Sequence, residues 1–206
     1  MLGQILLDGR GIERDPALAL RWFEIAASAG HLMARNMLGR CREHGWGCEP
    51  DPTEAAAHYR MCADAGLDWG LYNLANLQAT GRGVARDEQA AVRGYRHAAE
   101  LGHAKSMNLY GRYLEEGRCV AQDIAAAHAW YQRSAEAGDF RGQFSHGGVL
   151  IAAGKLDEGL AWLEKARQGG HAAFRAVAAQ ALARSSLPQL RALASVWVEE
   201  EALPAA

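Results

Sequence analysis

Cys41, His44 and Cys48 lie within one short stretch, with His58 and Cys62 a little downstream. Thiolate and imidazole donors at such spacings are the ligand types of zinc sites. A centre built on Cys41, His44 and Cys48 is therefore the metal-binding or enzymatic alternative for this chain. Internal periodicity weighs against it. Shifted by 36 residues, Cys41 falls with Ile5, Leu77 and Tyr113, and Cys48 with Ile12, Val84 and Val120. Cys62 falls with Ala26, Ala98 and Ser134. These are inward or small positions, whereas His44 falls with the polar Asp8, Thr80 and Glu116. The donors do not share a face. Free cysteine packs as a small hydrophobe, so all four cysteines read as reduced and structural. Cys119, standing where the other units have a turn glycine, is expected to be the more exposed. The expected metal and cofactor complement is none.

Other catalytic patterns fail on context. His31, His103 and His171 each follow a glycine at the start of a predicted helix, which points to a role in the helix start. Gly45-x-Gly47 and Gly81-x-Gly83 have no preceding strand, no Lys-Ser/Thr and no third glycine, so they are not phosphate loops. Neither a Gly-x-Ser-x-Gly elbow nor a His-Glu-x-x-His helix occurs. With no nucleophile, base and oxyanion set in view, catalysis is not expected. The formal charge of -2 argues against nucleic acid as a partner, since phosphate neutralisation needs a basic face. No apolar run approaches the roughly 18 residues that span a bilayer, and Met1 to Asp15 lacks the pattern of a secretory signal. The expectation is a soluble cytoplasmic chain, or a periplasmic one if an export signal precedes Met1.

The elements that position these residues come from a repeat. A small residue recurs at Gly3, Gly39, Ala75, Gly111 and Gly148, and a second glycine six residues later at Gly9, Gly45, Gly81, Gly117 and Gly154. Asp15, Asp51, Asp87 and Asp123 stand 36 apart, with Asp157 three residues early in its unit. An alanine follows at Ala19, Ala55, Ala91, Ala127 and Ala161, and a glycine closes each unit at Gly30, Gly66, Gly102, Gly138 and Gly170. Each unit reads as two helices. The first, A, carries a small residue for close approach and ends on a glycine able to take positive φ. Aspartate then caps the second, B, and Asp51 with Glu54 has the spacing of a capping box. Aromatic positions such as Trp22-Phe23 and His58-Tyr59 alternate with alanines, so large side chains fill gaps left by small ones. One pair cannot bury its apolar face alone, so the pairs must stack.

The predicted units are about 1–30, 31–66, 67–102, 103–138 and 139–170, with the start of a sixth up to 184. Leu190, Leu193, Ala194 and Trp197 then form one stripe of a capping helix over 185–201, with Gln189, Arg191, Ser195 and Glu199 opposite. A frayed tail over 202–206 follows.

The pattern Leu-Gly, Gly-x-Gly-hydrophobic, Asp, Trp-Tyr, Ala-Ala, Gly resembles the Sel1-like repeats, relatives of the tetratricopeptide repeats. Thr80 to Asp87 and Ala129 to Ala135 carry it most closely, and the resemblance extends from Met1 to about Phe174. It implies an all-α, right-handed α-solenoid of antiparallel helix pairs, and an adaptor that binds another protein or peptide on the concave surface lined by the A helices. Some exported members staple their repeats with disulfides, but the cysteines here do not recur from unit to unit. On the A helices, Asn36, Arg40 and Glu43 share one side by i, i+4, i+7 spacing. Tyr72 and Asn76 follow 36 residues on, then Asn108, Arg112 and Glu115, with Trp69 one turn before Tyr72. Arginine and large aromatics commonly anchor interfaces. These nine residues are the candidate partner-binding face, carried by a monomer.

Overall fold

The structure is a computed structural model, and it describes residues 2–199. Among the described residues every regular element is a helix. The chain divides into two units, Met1–Ala127 and His128–Ala206.

The first unit holds α1 (Leu2–Asp8), α2 (Pro16–Ser28), α3 (Leu32–His44), α4 (Pro52–Asp64), α5 (Asp68–Thr80), α6 (Glu88–Glu100), α7 (Ala104–Glu116) and the start of α8 (Ile124–Glu136). Four aspartates cap the B helices. Asp15 accepts from the Leu18 N–H at 2.9 Å, Asp51 from Thr53 and Glu54 at 2.9 Å, Asp87 from Ala90 at 2.8 Å and Asp123 from Ala126 at 2.9 Å. Their own N–H groups reach back to the A helix, donating to Leu6, Arg42, Gln78 and Leu114 carbonyls at 2.6–3.0 Å. This tie occupies the Asp51 N–H that a capping box would need. Glu54 turns instead to Arg42 at 3.2 Å and His58 at 3.6 Å.

Glycine serves two separate needs here. Gly45 closes α3 at φ 73°, in the left-handed region. Gly39 lies so close to α4 that a Cβ there would stand 2.7 Å from the Tyr59 ring. Tyr59, Phe23 and Tyr95 are buried at the same B-helix position, with Ala19, Ala55 and Ala91 beside them. Cys119 is the exposed non-glycine in this series of turns and holds φ 60°.

The histidine positions prove to be N-caps. His103 Nδ1 accepts from the Ser106 N–H at 3.3 Å, and His171 Nδ1 from the Phe174 N–H at 3.2 Å. Asp139 does the same for Gly142 at 3.0 Å. His31 occupies the cap position without a side-chain bond.

The second unit contains α9 (Phe140–Ala152), α10 (Leu156–Gly169), α11 (Ala172–Ala183) and α12 (Pro188–Glu199). Here the frame slips. The turn between α9 and α10 is shorter than its predecessors, and three assignments fail with it. Asp157 lies inside the first turn of α10, whose cap is Lys155 with no side-chain bond. Gly148 faces open space, whereas a Cβ on Gly147 would meet the Gly159 carbonyl at 3.0 Å. Ala161 is exposed, and Gly159 takes the buried alanine position. Leu163 stands where the earlier units bury an aromatic ring.

α12 buries Leu190, Ala194 and Trp197 against α11, with Leu193 partly covered and the Phe144 and Phe174 rings about Trp197 at 6.1 and 6.3 Å. Gln189, Arg191 and Ser195 are exposed. The Glu199 side chain lies outside the described residues, as do the predicted helix end at 200–201 and the tail over 202–206.

Candidate partner-binding cleft

Three A helices of the first unit, α3, α5 and α7, meet around a cleft of about 270 Å³. α3 contributes Arg40, Glu43 and His44; α5 contributes Trp69, Tyr72, Asn73 and Asn76; α7 contributes Lys105. Five of the nine predicted partner-binding residues are thus gathered in one place: Arg40, Glu43, Trp69, Tyr72 and Asn76.

The other four lie elsewhere. Asn36 and Asn108 are buried rather than displayed, at 2% and 4% exposure. The reason is local: neighbouring A helices approach closely, and Asn73 Nδ2 donates to Asn36 Oδ1 across α3 and α5 at 2.9 Å. Arg112 and Glu115 are exposed on α7 beyond the cleft, Arg112 paired with Glu116 at 3.5 Å.

His44, which the sequence placed in the cysteine and histidine cluster, also lines the cleft, as do Asn73 and Lys105, which no sequence reading named. Lys105 was available to the repeat frame, since it stands 36 residues after Trp69. Asn73 had no comparable signal, and His44 was marked only as a candidate metal ligand.

Ring packing holds the cleft wall. Trp69 meets Tyr72 edge-on at 6.1 Å, and the His103 ring packs on both at 4.5 and 4.6 Å. Such ring pairs add to the burial they provide. Burial holds the His103 pKa down to about 4, with Asp68 opposing and Lys105 adding to the shift. The ring is neutral at pH 7, its Nδ1 engaged by Ser106 and its Nε2 buried without a hydrogen-bond partner. Lys105 lies over Trp69 at 5.3 Å and Arg40 over Trp46 at 5.0 Å.

Beneath, the Tyr59 hydroxyl donates to Glu43 at 2.7 Å, and Arg82 also pairs with Glu43. The Tyr95 hydroxyl donates to Asn76 Oδ1 at 2.8 Å. Burial, with the Glu43 hydrogen bond next, pushes the Tyr59 pKa far upward, so Tyr59 remains a donor at any ordinary pH.

The cysteine and histidine cluster does not assemble. Cys41 is fully buried and its thiol is pushed up to about 11, mainly by burial. The Cys48 thiol turns to the Cys41 carbonyl at 3.6 Å. His44 stacks on Trp46 at 4.8 Å at the cleft margin, and burial lowers its pKa despite Glu43. Among the described residues no three His, Cys, Asp or Glu side chains are placed to share a metal ion. Nor is any described helix long and apolar enough to cross a membrane.

Consecutive helix pairs in a 36-residue frame, each pair needing its neighbours, define a helical repeat protein of the solenoid class. The Sel1 repeat profile matches residues 1–31, 32–67, 70–103, 104–139 and 152–171, more than half of the chain, and the chain belongs to the Sel1 repeat family. Members of this family are generally protein–protein interaction scaffolds.

A Sel1 repeat protein from Oxalobacter formigenes is similar in structure, with a TM-score of 0.78 at 27% identity over 97% of this chain and 84% of that one. So is c5321, a protective antigen present in uropathogenic Escherichia coli strains and displaying an SLR fold, at TM-score 0.73 and 28% identity. That match covers 97% of this chain and 44% of c5321. Immunity protein Pa5087 from Pseudomonas aeruginosa shares the fold at TM-score 0.63 and 16% identity, over 96% and 80% of the two chains. A comparison with curated protein sequences gave no match.

Proposed function

We propose that this chain is a non-catalytic scaffold that seats a segment of a partner protein in the cleft formed by α3, α5 and α7. One observation carries the reading: Arg40, Glu43, Trp69, Tyr72 and Asn76 converge on one cavity whose walls are already held by hydrogen bonds and ring packing. A preformed wall loses little side-chain freedom on binding, so less of the contact energy is spent on ordering. Tyr72 and Trp69 offer flat area of the kind that dominates interfaces, and Arg40 offers a directional charge.

The test is affinity capture from the source lysate with the wild-type chain beside Trp69→Ala and Arg40→Glu variants, each checked for native helicity. A partner held by wild type and lost by both folded variants supports the cleft. A partner held equally by all three moves the binding surface elsewhere. Recovery of no partner by the wild type counts against the scaffold itself.

A further inference from the structure

We infer that the segment taken by this cleft is acidic, with carboxylates flanking an apolar or aromatic side chain. This rests on the scaffold reading above and specifies its ligand. Hydrogen-bond polarity is the first argument. Both carboxylate oxygens of Glu43 are engaged, one by the Tyr59 hydroxyl and one by Arg82. Asn76 Oδ1 is taken by the Tyr95 hydroxyl, so the Asn76 amide nitrogen is the pole left to a ligand. Asp68, beside the wall, accepts from the Trp69 backbone N–H at 2.7 Å. Asn73, whose Nδ2 is given to Asn36, leaves an acceptor, so the donor bias of the cleft rests on Asn76, Arg40 and Lys105.

Charge is the second argument. Arg82, beside the cleft, pairs with Glu43. Arg40 instead rests on the Trp46 ring and the Met37 sulfur, and Lys105 on the Trp69 ring. These two cations are placed by aromatic rings and retain their capacity for an anion. Burial lowers the His44 pKa, which disfavours a further positive charge there. Arg40, Lys105 and Arg82 against Glu43 and Asp68 still leave the cleft net positive.

Size and surface exclude simpler ligands. A cavity of about 270 Å³ admits one or two side chains of an extended segment rather than a folded domain. A small inorganic anion would satisfy Arg40 and Lys105 but leave the Trp69–Tyr72 wall wet. An apolar side chain on that wall, with an aspartate or glutamate to either side, uses both features. Charge-assisted bonds to Arg40 and Lys105 are among the stronger single contacts a segment can make.

The test is selection of peptides from a random displayed library on the full-length chain, followed by fluorescence anisotropy of the leading peptide. Arg40→Ala, Lys105→Ala and Trp69→Ala are compared with wild type, and Arg96→Ala, at an exposed pair outside the cleft, is the control. Enrichment of Asp and Glu is expected, with roughly tenfold weaker binding for each cation variant, no change for Arg96→Ala, and affinity that falls with salt. Enrichment of uncharged or basic peptides that still need Trp69 would overturn the acidic assignment and leave the scaffold standing. Acidic peptides bound equally by all variants would overturn both the assignment and the cleft. Displacement of the peptide by millimolar inorganic phosphate as effective as displacement by excess peptide would reassign the site to a small anion. Failure to enrich any peptide counts against both readings.

Discussion

Lowering the pH should weaken the first unit through His103, and the size of the effect follows from its surroundings. The ring is packed between Trp69, Tyr72 and the Ser106 cap, at 4% exposure, and its pKa falls from 6.5 to about 4. An unfolded chain would take up the proton near 6.5. Between these values the unfolded state binds more protons than the folded one, so stability falls as pH falls. The contribution is complete above pH 6.5 and gone by pH 4. At about 1.4 kcal/mol per pKa unit the whole shift is worth at most about 3 kcal/mol, of which about 2 kcal/mol is lost by pH 5. His44, His58 and His146 also have lowered pKa values and add to any gross pH dependence. A His103→Asn variant separates them, because asparagine can still cap α7 but does not titrate. Urea unfolding of both proteins, followed by circular dichroism at pH 7.5, 6 and 5, gives the difference directly. The stability of wild type relative to the variant should drop by about 2 kcal/mol between pH 7.5 and 5. Two curves that fall in parallel would show that His103 is not held neutral by burial, and would refute the packing described for the cleft wall.

Four further outcomes follow from the same structure. Gly39→Leu should cost about 1–3 kcal/mol in urea unfolding, because its Cβ meets the Tyr59 ring. Gly148→Ala, in open space within α9, should be neutral or stabilising by up to about 1 kcal/mol; the opposite ranking would mean the packing glycine is misassigned. Asp51→Ala removes two capping bonds and should destabilise by about 1 kcal/mol, read from the shift in urea midpoint. With a thiol reagent at pH 8, Cys119 should react first and Cys41 and Cys62 only on unfolding, since the last two are buried with thiols raised to about 11; peptide mapping of the labelled sites gives the order.

The repeat was readable because its signals are backbone signals. Aspartate at a cap and glycine at positive φ are demanded by one residue's own conformation, so four units announced themselves before any packing was known. The fifth unit shows where counting stops working. Once its turn shortened, Gly148 and Ala161 kept their sequence spacing but lost their places to Gly147 and Gly159. Position in a helix, counted from its own first residue, decides burial; distance along the chain does so only while the turns keep their length. The candidate face shows a different limit. The i, i+4, i+7 rule places Asn36, Arg40 and Glu43 in one sector but cannot say where the neighbouring helix cuts that sector off. Asn36 fell on the buried side of the cut, where Asn73 supplies its partner. A short amide satisfied across a helix seam looks, in sequence, the same as one displayed to a ligand.

That seam also explains why the cleft can hold charge in the open. A polar residue buried between A helices must find a partner, and Asn36 finds one in Asn73 of the cleft lining. The hydroxyls of Tyr59 and Tyr95, pinned by packing in B helices, then take up Glu43 and Asn76 from below. With the acceptors held this way, the side chains facing outward are the cations on their aromatic rests. Arg40 and Lys105 stay partly solvated, so keeping them unpaired costs far less than burying a lone charge. A ligand that brings its own carboxylates gains the pairing that the scaffold withholds from itself, and displaces water from Trp69 and Tyr72 in the same step. Affinity on this design comes from a prearranged donor set beside an apolar wall, and it should track the ligand's charge and one anchoring side chain more closely than the total area covered.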